Sequence, residues 1–114
     1  MKPIREKNTK EKGLIEFLVY PEGHGHQFIG VCLTFDIVEE STDPVQLMES
    51  IKEAAELHLE IVIKENMSDD LLNRYAPQKY WDKYFKALKE TGQDDISFFF
   101  QKNPYNQVIS VATP

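Results

Sequence analysis

Three histidines, one cysteine and a scatter of carboxylates are the groups in this chain that could do chemistry. His24 and His26 lie two residues apart in "PEGHGHQ". In an extended strand they would project to one face and could both reach a metal ion. They are interleaved with Gly23 and Gly25, which favour a turn, and no third ligand is spaced to complete a site. A polar hairpin tip is the preferred reading, with no metal or cofactor assigned.

His58, in "KEAAELHLE", falls among apolar positions. A general base needs an orienting neighbour and a nucleophile or substrate within reach. One turn away stand only Ala54, Ala55, Ile61 and Val62. The sequence therefore predicts a partly buried structural histidine, its polar tip hydrogen-bonded at the sheet edge, or a polar contact to a partner.

Among the acids, Asp36, Glu39, Glu40, Asp69, Asp70, Asp94 and Asp95 cluster near turns. Paired carboxylates can hold magnesium for phosphoryl chemistry, but no phosphate-gripping lysine or glycine-rich loop accompanies these. Cys32 lies in an apolar run without the basic surroundings of a reactive thiolate. Lys79, Lys83, Lys86 and Lys89 form a helical stripe that could meet phosphates. Asp82 and Glu90 dilute it, and a solvated face is the plainer reading. No catalytic residue is assigned.

The elements that position these groups follow from periodicity. "LIEFLVY" at 14–20 reads as a strand ending at Pro21. "QFIGVCLTFDIVEES" is long for one strand, so it reads as two, 27–33 and 35–40, or as one bent at Gly30. A long amphipathic helix follows. Asp43 stands at its N-cap, Pro44 at its first position and Gln46 as a capping-box partner. Leu47, Ile51, Ala55, His58, Leu59 and Val62 gather on one side, flanked by Met48, Ala54 and Ile61.

Ser68 can cap a short turn holding Leu71 and Leu72. Pro77 then opens a second helix whose Tyr80, Trp81, Tyr84, Phe85 and Leu88 suit core or dimer contact. Gly92 is placed to end it. "ISFFFQ" and "QVISVA" read as a C-terminal strand hairpin. The predicted class is α+β: an antiparallel meander of two to three strands, the long helix packed on it, the aromatic helix and the hairpin. Phe98, Phe99 and Phe100 load both faces of one strand, which predicts a homodimer or higher homo-oligomer through them.

Charge divides the chain. Residues 1–13 hold five basic and two acidic side chains and read as a flexible basic leader, ahead of a single domain at 14–114. The whole chain is −6, so the body carries −9, which repels phosphate backbones and favours basic partners. A lone cysteine and the absence of an apolar run near the roughly 18 residues of a membrane span point to a cytoplasmic, non-membrane protein.

Residues 14–60 resemble the HicB-like antitoxin domain. The resemblance rests on "FLVYPEGHGHQFIGVC", which matches the family's first strand, glycine-containing turn and second strand. It rests also on "ESTDPVQLMESI" and "KEAAELHLE", which follow the helix signature in order and spacing. The likeness implies a partial ribonuclease H-like fold without a nuclease site. It implies a non-catalytic interaction domain, an antitoxin or a stand-alone relative, that covers a small basic RNA-cleaving HicA-type toxin. Residues 66–114 match neither DNA-binding module that full-length antitoxins often append. Two alternatives stand beside this reading: a nucleic-acid-binding regulator using the leader and the lysine stripe, and a metal-dependent nuclease using Asp36, Asp69 and Asp70.

Overall fold

A computed structural model of the chain describes residues 7–23, 25–91, 97–102 and 108–112. The class is α+β, with antiparallel strands and two helices, as the sequence predicts. Strands β1 (Lys12–Pro21), β2 (Phe28–Cys32) and β3 (Ile37–Ser41) form the meander. Helices α1 (Pro44–Lys64) and α2 (Gln78–Thr91) follow, then β4 (Ser97–Lys102) and β5 (Val108–Ala112). The strand order is β3-β2-β1-β4-β5.

β1 is shared between two partners. Its second half pairs with β2, from Phe17↔Cys32 to Pro21↔Phe28, and its first half with β4, from Lys12↔Gln101 to Glu16↔Ser97. β4 and β5 pair from Phe98↔Ala112 to Lys102↔Val108. The connection expected to close their hairpin lies outside the described residues. So do the side chains of Phe98, Phe99 and Phe100, to which self-association is assigned above.

The long apolar run resolves into two strands, the first of the two alternatives, and not into one strand bent at Gly30. The break falls at residues 33–36, where Asp36 adopts φ 58. This turn is buried except for Asp36. Leu33 belongs to one core cluster and Phe35 to the other, so the connection itself staples the two sides of the sheet.

Alternation along the strands feeds two cores. Ile15 and Phe17 of β1 and Cys32 of β2 face α1, meeting Leu47, Ile51, Ala55, Leu59 and Val62. Leu18, Ile29 and Val31 face the opposite way, meeting Trp81 and Tyr84 of α2. The sheet is thus covered on both faces. The aromatics of α2 are core residues: Trp81 is fully buried, with Tyr75 and Tyr84 packed edge-on to it. Each large aliphatic side chain that α1 buries contributes about 1.5–3 kcal/mol.

Gly30 sets how closely α1 approaches. A Cβ there would fall 2.9 Å from Leu47 Cγ and run into Ile51 Cδ1. The helix therefore rests directly on the backbone of β2.

Both ends of α1 are capped. Asp43 Oδ1 accepts from the N–H groups of Val45 and Gln46 at 3.0 and 3.2 Å. The reciprocal half differs from the expected capping box: the Asp43 N–H donates to Ser41 Oγ at 3.1 Å, not to Gln46. At the other end Asn66 takes φ 48. The Met67 N–H then reaches back to the Val62 carbonyl at 2.8 Å and the Asn66 N–H to that of Ile63 at 3.1 Å, closing a Schellman motif. A 3-10 turn at Asp69–Leu72 follows, capped by Ser68 as its sequence suggests.

The leader differs from its sequence reading where it is described. Asn8 is buried, and its side chain donates to the carbonyls of Leu14 and Leu72 at 3.0 and 2.9 Å. Lys10 Nζ bonds the Met67 carbonyl and Asp69 Oδ1. These contacts fasten residues 8 and 10 to the segment after α1. Residues 1–6 lie outside the described residues.

Candidate functional site

His58 is half-buried on α1, between the β2–β3 turn and the 3-10 turn. Its Nε2 lies 2.6 Å from the Leu71 carbonyl oxygen, and its ring centroid is 4.7 Å from that of Phe35. A carbonyl only accepts, so Nε2 holds the proton and donates. The partner is a backbone group of the 3-10 turn rather than the sheet edge that the sequence suggests. With Nε2 committed to the fold and the ring packed on Phe35, His58 joins α1 to the segment that follows it.

The other candidates do not converge on His58. His26 is exposed in the β1–β2 connection, which the Glu22 N–H closes onto the Gln27 carbonyl at 2.9 Å. His24 lies outside the described residues. Among the described residues no group of three or more His, Cys, Asp or Glu side chains could hold a metal ion.

Two of these carboxylates serve local structure. Glu39 accepts from Ser50 Oγ at 2.6 Å, tying β3 to α1. Asp69 holds Lys10 at 2.7 Å. Asp36, Glu40 and Asp70 are exposed, and Asp94 and Asp95 lie outside the described residues. Cys32 is fully buried in β2, and burial pushes its thiol up to about 12. A thiol so held is neither a nucleophile nor a metal ligand near neutral pH.

On the opposite side, Lys79, Lys83, Lys86 and Lys89 are all exposed along α2. Lys83 Nζ stands 5.0 Å from the centroid of the Tyr20 ring, and Lys79 Nζ the same distance from that of Tyr80. Burial, with Tyr80 and Glu22 nearby, raises the Tyr20 hydroxyl above its usual pKa. Gln78 donates to Asp82 Oδ1 at 3.0 Å and holds that carboxyl below its usual range.

Comparison with protein-family models, with characterised proteins and with solved structures returned no match. The surface must therefore be read from its own residues.

Two features of the structure escape the sequence reading. Ile61, placed there beside the buried stripe, is 45% exposed, and Leu57 is 57% exposed. The helix period alone flags Leu57 as an apolar residue on a polar side. The second feature is the pairing of Asn8 with Asn73, for which the sequence holds no local signal.

β3 is an edge strand with Val38 45% exposed and Glu39 and Glu40 along it. With Asp36 at its start and Glu49, Glu53, Glu56 and Glu60 exposed on α1, this side of the molecule is strongly acidic. No helix among the described residues is long and apolar enough to cross a membrane.

Proposed function

We propose that this chain is a non-catalytic protein-interaction domain, a HicB-type antitoxin or a stand-alone relative, whose partner is a small basic protein of the RNA-cleaving HicA type. The observation that carries the reading is the acidic edge. β3 offers an unpaired strand side bearing Glu39 and Glu40, and the exposed glutamates of α1 extend the same field. Such a surface steers a basic partner and fixes its register. The groups capable of chemistry support the same reading, since His58 and Cys32 are each held by the fold. The likeness of residues 14–60 to the HicB-like helix signature supplies the partner class.

The test is association with a small basic protein of the HicA type, taken from the neighbouring reading frame if one is encoded there. Binding at micromolar concentration or tighter, weakened at least about tenfold by Glu39→Lys with Glu40→Lys, is the expected result. No association at micromolar concentration overturns the antitoxin reading.

The four exposed lysines of α2 favour a second reading, nucleic-acid binding on the opposite face. Retention of the chain by duplex DNA should then fall steeply with salt, and Lys79→Glu with Lys83→Glu should reduce that slope. Retention unchanged by salt or by these substitutions dismisses it.

A further inference from the structure

α1 carries an apolar stripe that the described fold leaves uncovered. Ala54, Leu57 and Ile61 recur three and four residues apart, so they share one side of the helix. Leu57 and Ile61 are 57% and 45% exposed, whereas Ile51, Ala55, Leu59 and Val62 on the core side are all but fully buried. The stripe ends in opposite charges. Glu53 adjoins Ala54 at one end, and Lys64 stands three residues beyond Ile61 at the other; both are exposed.

We propose that this stripe is a two-fold interface on which α1 of a second copy of the chain packs antiparallel. In an isologous contact one axis relates every pair of facing residues. An axis midway between Leu57 and Ile61 sets Leu57 on the second copy's Ile61, and Ile61 on its Leu57. The same axis brings Lys64 opposite the second copy's Ala54, with Glu53 only about 1.5 Å further along the helix. Two reciprocal ion pairs thus flank the apolar centre, and the small Ala54 leaves room for the lysine stem. Glu60, near the axis, has Lys64 of its own helix four residues on to offset its repulsion.

The charge order favours an antiparallel second copy, although Glu65 beside Lys64 comes level with Glu53 across the same axis. Antiparallel copies match Glu53 with Lys64 twice, whereas parallel copies would set like on like. The β3 edge is a poorer route to self-pairing, because Glu39 and Glu40 would face their own copies. The apolar centre of the interface needs no toxin partner, although Glu53 and Glu60 also belong to the acidic side of α1.

Sedimentation equilibrium of the full chain at low ionic strength, from micromolar to near-millimolar concentration, tests the proposal. A monomer–dimer equilibrium is expected. Leu57→Glu with Ile61→Glu changes only exposed positions, so its circular dichroism should match the parent while dimerisation weakens at least about 100-fold. Glu53→Lys and Lys64→Glu should each weaken it roughly fivefold, and the two together should restore it to within about twofold. A parent chain monomeric throughout overturns the interface. So does a dimer untouched by the Leu57 and Ile61 substitutions, and charge variants whose losses add without recovery overturn the antiparallel arrangement.

Discussion

Asn8 and Asn73 hold each other reciprocally: the Asn8 N–H donates to Asn73 Oδ1 at 2.8 Å, and Asn73 Nδ2 donates to the Asn8 carbonyl at 2.9 Å. Asn8 also receives the Leu14 N–H at its Oδ1 at 2.8 Å, so one buried side chain serves three backbone groups. Removing it strands those groups away from water, which costs more than a typical hydrogen bond. Asn8→Ala should therefore destabilise the chain by about 2–4 kcal/mol in urea denaturation. Asn73→Ala should cost a similar amount and make residues 7–12 readily cleaved by trypsin. Both variants matching the parent would refute the clasp.

Gly30 gives the steepest packing prediction. A methyl group at this position meets Ile51 and Leu47 with the helix seated above, so Gly30→Ala should cost about 1–3 kcal/mol. Adding Ile51→Ala removes the nearer of the two obstructions. The double variant should be more stable than the sum of the two single losses predicts, a coupling that a thermodynamic cycle measures. Additive losses would mean that α1 does not rest on this point.

Cys32 predicts a window of alkaline sensitivity. Burial pushes its thiol up to about 12 in the fold, from an ordinary value of about 9, so the folded state keeps a proton that the unfolded state gives up. The sign follows: this contribution is complete below about pH 9 and is lost as pH rises towards 12, up to about 4 kcal/mol. Cys32→Ala, compared with the parent across that range, should show a flatter decline. At pH 8 the native thiol should resist iodoacetamide and become reactive in urea; rapid native alkylation would contradict the burial.

His58 should prove structural when replaced. His58→Leu keeps contact with Phe35 but leaves the Leu71 carbonyl without its donor, a loss of about 1–2 kcal/mol. His58→Gln, which can still donate, should recover part of it. Equal losses in the two variants, read by thermal unfolding, would show that the hydrogen bond contributes nothing.

How much of this was legible in the sequence depends on how local the cause is. α1 is legible because Asp43, Pro44 and the Leu47–Val62 spacing act within one helix, and the observed N-cap agrees. The β2–β3 break is legible only as one of two alternatives, because Leu33 and Phe35 are apolar residues in a turn, kept dry by clusters on opposite sides of the sheet. Apolar content signals burial there, and it is the length of the run that signals a break. The partner of His58 is a carbonyl, which no residue type announces. Asn8 looks like part of a soluble leader until Asn73, distant in sequence, is brought beside it. Ile61 misleads for the converse reason: a helix side that borders the core by periodicity is open to solvent wherever no strand extends beneath it.

The division of β1 has a consequence for the order in which the protein assembles. Phe17–Pro21 can zip onto β2 as soon as the meander leaves the ribosome, yet Lys12–Glu16 must wait for β4, which is made only after both helices. During that interval the newborn chain carries half a strand with an open ladder, a brief invitation to the wrong neighbour. A stop codon before Ser97 would make that interval permanent.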